Sequence, residues 1–180
     1  GVFKVILDLP PGTNTVVFEA TDGAGNMTIS EPITLVVVDL NGVWGSINTR
    51  FDFCGVSEDD DVLVLNLSQN SSGVAGTVTT GFGGDYKRGT LTGQVNDSNV
   101  LEAEVVFPPS SEGRPNTTGT LRFKVAADKL TGELSYQDGQ TCSENDETLA
   151  TTLVSGSLAR GVDVPPLPPD DGLEPNNDQS

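Results

Sequence analysis

Between Val62 and Leu153 the chain spells seven runs of alternating apolar and polar residues, each broken by Gly, Pro, Asn, Asp or Ser. A period of two sends successive side chains to opposite faces of a strand, so the pattern predicts an antiparallel β-meander. Across residues 41 to 160 the expected strands are Val43 to Phe53, Val62 to Ser68, Val74 to Thr80, Lys87 to Val95, Val100 to Phe107, Gly119 to Ala126, Lys129 to Tyr136 and Glu147 to Val154. One face collects Leu63, Leu65, Leu67, Val74, Val78, Leu91, Val95, Leu101, Ala103, Val105, Phe107, Leu121, Phe123, Val125, Leu130, Leu134, Leu149 and Leu153, while the other carries Thr77, Thr79, Thr90, Thr92, Glu102, Glu104, Arg122, Lys124, Thr131 and Glu133. An eight-stranded sheet that is apolar on one side must bury that side, and closure into an up-and-down barrel does so with no free edge. Gly76, Gly93, Gly119 and Gly132 fall on the inward face, where a strongly coiled sheet and bulky residues across a narrow barrel would demand them.

Residues 1 to 40 predict three more strands, Phe3 to Leu9, Thr15 to Thr21 and Ile33 to Val38, joined by turns at Pro10-Pro11-Gly12-Thr13-Asn14 and Asp22-Gly23-Ala24-Gly25-Asn26. Three strands do not close a two-sheet sandwich of about seven. Truncation at the N-terminal side is the expectation, with Val5, Leu7, Val16, Phe18, Leu35 and Val37 on the face left open, and packing of these strands on the following domain is the alternative. Residues 161 to 180 are Pro-rich and acidic, a composition that buries too little apolar surface to order itself and predicts a disordered, semi-rigid linker.

Charge narrows the partners. The formal net charge is −17, about −4 before residue 41, −8 from 41 to 162 and −5 in the tail. Phosphate backbones and anionic lipid surfaces are repelled by such a field, so no nucleic acid is expected as a partner. The longest apolar stretch, Ile33 to Val38, is far short of the roughly 20 residues of a spanning helix, and no membrane insertion is expected. The two cysteines, Cys54 and Cys142, are too far apart for a redox CxxC pair, and the chain has no histidine to complete a metal site around them. A structural disulfide is the expectation, two separate buried thiols the alternative. A loop of 88 residues closed in this way would stabilise the fold by roughly 4–5 kcal/mol on the chain-entropy model and imply an oxidising compartment. The chain is accordingly expected to be an internal piece of an exported, extracellular or cell-surface protein whose signal lies upstream.

Two stretches resemble known families. The segment "LPPGTNTVVFEATDGAGN" is similar to the C-terminal strands of bacterial Ig-like domains, with an apolar strand, a Gly-x-Asn turn, a strand ending in Ala-x-Asp and a Gly-Asn turn. Gly42-Val43-Trp44-Gly45 before the meander and Ser157-Leu158-Ala159-Arg160 after it resemble the calycin group of lipocalin-like and avidin-like barrels. That resemblance implies structural roles for Trp44 and Arg160 at the closed end, with the guanidinium stacked on the indole. The lipocalin Thr-Asp-Tyr signature is missing. The tail's "LEPNND" looks like the lead-in to a further extracellular bacterial domain. The implied fold class is all-β, an eight-stranded antiparallel up-and-down barrel preceded by a three-stranded fragment of an Ig-like sandwich.

Candidate chemistry is sparse. Without histidine the common triads and zinc-hydrolase sites fall away, and no carboxylate sits among the inward apolar positions where burial would raise its pKa. No enzymatic activity, cofactor or metal is expected. The Glu58-Asp59-Asp60-Asp61 run lacks the spaced acids and central Gly of a calcium loop and reads as a solvated charge run between the first two barrel strands. Phe107, Phe123, Tyr136, Leu65 and Leu121 either line a cavity or fill the barrel, and Phe82 and Tyr86, in "GFGGDYKRG", join the Pro108-to-Asn116 connection as an exposed contact surface. Two functions follow as expectations: a non-catalytic spacer and adhesion or recognition module that meets a protein or glycan, or a carrier of a small apolar ligand in the barrel interior. Inhibition of a secreted protease is a third.

Overall fold

The computed structural model describes residues 4–10, 12–70, 73–82, 85–109, 116–126, 128–137, 139–143 and 149–161, with the backbone alone at 47, 48, 60, 61, 82 and 85. The expected linker beyond Gly161, including "LEPNND", therefore lies outside the described residues. The chain divides into two compact units, Gly1–Asp39 and Leu40–Ser180.

In the first unit β1 (Gly12–Val16) pairs antiparallel with β4 (Ile33–Val37), and β2 (Glu19–Thr21) pairs antiparallel with β3 (Met27–Ile29). This corrects the three strands expected from the sequence. Residues 4–9 form no strand, and the run Thr15 to Thr21 is two short strands because the chain changes partner within it. Val16 faces Ile33 of β4, whereas the Phe18 amide donates to Ser30 Oγ at 2.9 Å and its carbonyl accepts from the Ser30 amide at 2.8 Å. Apolar residues of this unit stay uncovered, Val5 ahead of the strands and Met27, Ile29 and Val36 within them, all more than half exposed.

The β2–β3 turn is organised by Asp22. Its Oδ1 accepts from the Ala24 and Asn26 amides, each at 2.9 Å, and its Oδ2 accepts from Asn26 Nδ2 at 2.8 Å. The Asn26 side chain, then its amide, hold the carboxyl below the ordinary aspartate range. A depressed native pKa means the carboxylate's contribution to the turn is complete above the unfolded-state pKa and drains as pH falls through the native one. Carboxyl-detected NMR titration should find the Asp22 midpoint lower than its value in Asn26→Ala, and equal midpoints would remove the side-chain bond as the cause.

The second unit is a closed barrel of eight strands: β5 (Gly42–Phe53), β6 (Val56–Asn70), β7 (Gly73–Phe82), β8 (Asp85–Val95), β9 (Val100–Phe107), β10 (Thr117–Val125), β11 (Lys129–Tyr136) and β12 (Thr152–Arg160). Each strand pairs antiparallel with its sequence neighbours, and β12 closes the ring on β5. Following the ladders once around from Phe53, through Thr152, Tyr136, Gly119, Val105, Leu91, Gly76 and Leu67, returns to the first strand at Gly42. So large a stagger requires strongly tilted strands. The alternation expected from the sequence is carried out in burial: β9 and β10 show strict in-out patterns, with Leu101, Val105, Leu121 and Phe123 fully or nearly fully buried.

Three expectations in this unit need correction. The acidic run is not a connection, because β6 starts at Val56 and pairs Glu58 with Phe51 and Asp59 with Arg50. The reversal before it is the tight turn Phe53-Cys54-Gly55-Val56, with both central residues at positive φ, 54° and 77°. The last strand begins at Thr152 rather than Glu147 and slips by one residue relative to the expected face, so Thr152, Val154 and Leu158 are buried while Leu149 is 46% exposed and Leu153 points outward. A one-residue slip exchanges the two faces of a strand.

The inward glycines answer to the neighbouring strand rather than to side chains across the barrel. A methyl group on Gly132 would stand 2.8 Å from Phe123 Cα, and one on Gly93 would stand 2.6 Å from Ala103 Cβ. Both neighbours are ladder partners, so the sheet folds sharply enough at these points to leave no room for a Cβ.

Candidate functional site

The two ends of the barrel differ in construction. At one end the connections are short: two residues between β6 and β7, four between β8 and β9 and three between β10 and β11. The Asn96 side chain organises the second of these by accepting from the Ser98 and Val100 amides. Trp44 plugs this end. Its ring is fully buried, its Nε1 donates to the Leu40 carbonyl at 2.9 Å, and the Arg160 guanidinium lies 4.8 Å from its ring centroid. Leu40 is itself fully buried, its amide donating to Gln69 Oε1 at 2.9 Å, so the chain entering the barrel is fastened to the end of β6. Phe123 and the fully buried Leu65, Leu101, Leu130 and Leu158 complete the packing of the interior.

The opposite end carries the long connections, residues 108–116 between β9 and β10 and residues 137–151 between β11 and β12. A disulfide joins Cys54, in the β5–β6 turn, to Cys142, in the second of these connections, with the Cα atoms 5.4 Å apart. The ends of the 137–151 connection are also tied to each other, by a bridge between Thr141 and Leu149 and by the Ala150 amide donating to the Gln140 carbonyl at 2.7 Å.

Inside this end the side chains change character. Thr80 and Lys87 face each other across the β7–β8 ladder on the inward side, in phase with Val78 and Gly89. Lys87 Nζ lies 5.5 Å from the ring centroid of Tyr136, which stands on β11, three strands further round. Tyr136 packs against Phe107 with ring centroids 5.1 Å apart and tilted by 56°. Thr80 and Thr152 are 0% and 1% exposed, and the Thr80 Oγ1 has no hydrogen-bond partner. Where the far end stacks leucines around Trp44, this end offers hydroxyls, an ammonium and two aromatic rings.

No protein-family model, curated protein or solved structure matches this chain. Its functional reading therefore rests on the residues themselves.

Of the residues singled out from sequence, Phe107 and Tyr136 are brought together, and Phe123 stands apart among fully buried apolar side chains. Tyr86 belongs to β8 rather than to a loop and pairs with Gly81 on the outward phase. Phe82 ends β7, and its side chain lies outside the described residues. Sequence reasoning passed over Thr80 and Lys87. The signal for both was parity, since each continues the alternation that places Val78 and Leu91 inside. Among the described residues no group of three or more His, Cys, Asp or Glu is arranged to hold a metal ion.

Among the described residues the outer face carries open grooves over two parts of the sheet. One, of about 620 Å³, runs over β9, β10 and β11 and is lined chiefly by Glu102, Glu104, Thr118, Thr120, Ser135 and Gln137. The other, of about 480 Å³, lies over β7 to β9 near Thr79, Arg88, Val106 and Pro108. Beside the first, Arg122 pairs with Glu102 at 3.2 Å, their side chains 65% and 44% exposed, an arrangement that adds little to stability.

Proposed function

We propose that this chain is a non-catalytic module of an exported multidomain protein, in which the barrel is a rigid platform presenting the loops of its disulfide end to a protein or glycan. The observation that carries this reading is the asymmetry of the barrel: short turns and a packed Trp44 plug at one end, two long connections at the other, one of them covalently clasped to the frame. Loops held on a rigid scaffold vary at little cost to the fold and are the usual bearers of recognition. The stacked Trp44 and Arg160 at the turn end support a calycin-like barrel, and the Gly-Asn turn built on Asp22 is consistent with an Ig-like element before it. The disulfide fits an oxidising, extracellular setting. A barrel with leucines inside and charged and hydroxyl side chains outside is the reverse of one built to sit in lipid.

The test is binding of the full chain to a glycan array and to immobilised fibronectin and collagen. Its companion is a variant in which residues 109–115 are replaced by Gly and Ser at equal length. Recognition by the rim predicts at least one bound target whose affinity falls tenfold or more in the loop variant while the melting temperature holds. Absence of binding to all of these, binding indifferent to the loop, or hydrolysis of a bound target would overturn the proposal.

A further inference from the structure

We propose that the open edge of β6 at the disulfide end receives, as an added strand, an extended peptide in which basic residues alternate with apolar ones. The site is a strand edge rather than the long connections, so the proposal stands apart from recognition by the rim.

Closing a barrel removes its sheet edges only where both neighbours of each strand run equally far. Around β6 they do not. Its ladder with β5 runs back to Val56, whereas its ladder with β7 goes no further than Val62 opposite Gly81, and β7 itself ends at Phe82. Residues 56–61, about 20 Å of strand, therefore have no strand but β5 beside them among the described residues. β5 is covered on its far flank, where residues 50–53 pair with β12, so the open edge belongs to β6 alone. In an antiparallel ladder successive residues turn their amide and carbonyl groups to alternate sides. The tight turn joins Val56 to Phe53, which directs the amides of Ser57 and Asp59 away from β5. Val56, Ser57, Glu58 and Asp59 are all exposed. Such an edge is a template for another extended chain.

Charge and apolar surface choose the occupant. From Arg50 to Asp61 the hairpin carries five acids and one arginine. Two copies of this edge laid side by side would set acids against acids, which opposes pairing between molecules of this chain. A cationic strand meets the opposite condition. Alternation gives the edge two faces: Ser57 and Asp59 share one with Arg50 and Asp52, while Val56 and Glu58 share the other with the half-buried Phe51 and Phe53. On the first face Arg50 Nη2 donates to Ser57 Oγ at 2.9 Å, and that hydroxyl donates to Asp52 Oδ2 at 2.8 Å. The arginine is thus held on Ser57, and the Asp59 carboxylate is left to meet an incoming base. On the second face Val56, 61% exposed, offers apolar contact. A strand with lysine or arginine on one side and apolar residues on the other satisfies both.

Titration of the full chain with the capped hexapeptide Lys-Val-Lys-Val-Lys-Val, followed by calorimetry and amide exchange, tests the assignment. Two peptides of equal length are the controls: Lys-Pro-Lys-Pro-Lys-Pro keeps the charge but lacks half the backbone donors, and Glu-Val-Glu-Val-Glu-Val reverses the charge. The Lys-Val peptide should bind, and each control should bind at least about tenfold more weakly. In the free protein the Ser57 and Asp59 amides should exchange fast while those of Val56 and Glu58 are held by β5, and bound peptide should slow the first two. Asp59→Pro removes one outward amide at a position where an edge strand tolerates proline, and should weaken the Lys-Val peptide about tenfold or more with the melting temperature kept. Asp59→Asn keeps the amide and should weaken it less. Should the proline variant lose its fold, slowed exchange at Ser57 and Asp59 in the wild type decides the matter. No binding, equal binding of the Lys-Val and Lys-Pro peptides, or slow exchange at Ser57 and Asp59 before peptide is added would overturn the proposal.

Discussion

Removing the disulfide should cost this barrel more stability than any substitution at its surface. Cys54→Ala combined with Cys142→Ala, or reduction of the wild type, is expected to destabilise the second unit by about 4–5 kcal/mol, the entropy released when a loop of 88 residues is freed in the unfolded chain. For a domain of this size that corresponds to a fall in melting temperature of more than about 10 °C. The bond also sits where the barrel is hardest to close. β5 and β12 are the first and last strands of the ring, and Cys142 belongs to the connection that delivers β12 into its place between β11 and β5. Long-range closure of this kind must be made against the full loop entropy of the intervening chain. The loss should therefore be uneven: hydrogen exchange on reduction should accelerate first along β12 and β5, with β7 to β9 protected longest. A double variant that melts with the oxidised wild type, or exchange that rises uniformly, would mean that the clasp holds only its own loop.

The sequence reveals this barrel wherever one face is aliphatic and the other charged. β9 and β11 run over the residues that alternation predicts, because Leu101, Ala103, Val105 and Phe107 on one strand and Leu130, Leu134 and Tyr136 on the other leave no competing phase. β12 fails for the opposite reason. Leu149 and Leu153 share one phase and Val154 and Leu158 the other, and the choice between them is made by Thr152 pairing with both Tyr136 and Phe53, a long-range fact invisible along the chain. The acidic start of β6 misleads because Glu58 and Asp59 read as solvated loop residues, yet a strand extending past the packed core keeps its ladder and leaves those side chains in water. In the first unit the unbroken run from Thr15 to Thr21 conceals a change of partner at Phe18. The candidate site was half legible. Aromatic residues at inward positions stood out, but a threonine and a lysine on the apolar phase looked like strand ends, and only the ladder shows that both face the lumen.

The fully buried Trp44 makes the second large effect. Trp44→Ala should destabilise the barrel by about 3–5 kcal/mol, because the ring is 0% exposed and deleting it opens a cavity at an end that three short turns keep from collapsing. Against a typical domain stability of about 5–15 kcal/mol, that loss leaves a barrel close to its unfolding threshold at physiological temperature. Trp44→Phe separates packing from hydrogen bonding: the smaller ring retains most contacts, while the Leu40 carbonyl loses the indole N–H, at a further cost of about 1–3 kcal/mol. Arg160→Ala should cost only about 0.5–1 kcal/mol, since its guanidinium covers the indole from an exposed position. The order Trp44→Ala, then Trp44→Phe, then Arg160→Ala is the prediction, checked by urea unfolding. Since Trp44 is the chain's single tryptophan, its fluorescence reports the plug directly in the Arg160 variant and the wild type. A double-mutant cycle between Trp44 and Arg160 isolates their contact, and a coupling indistinguishable from zero would assign Arg160 to the surface and leave the Leu40 bond and the packed ring as the whole of the closure.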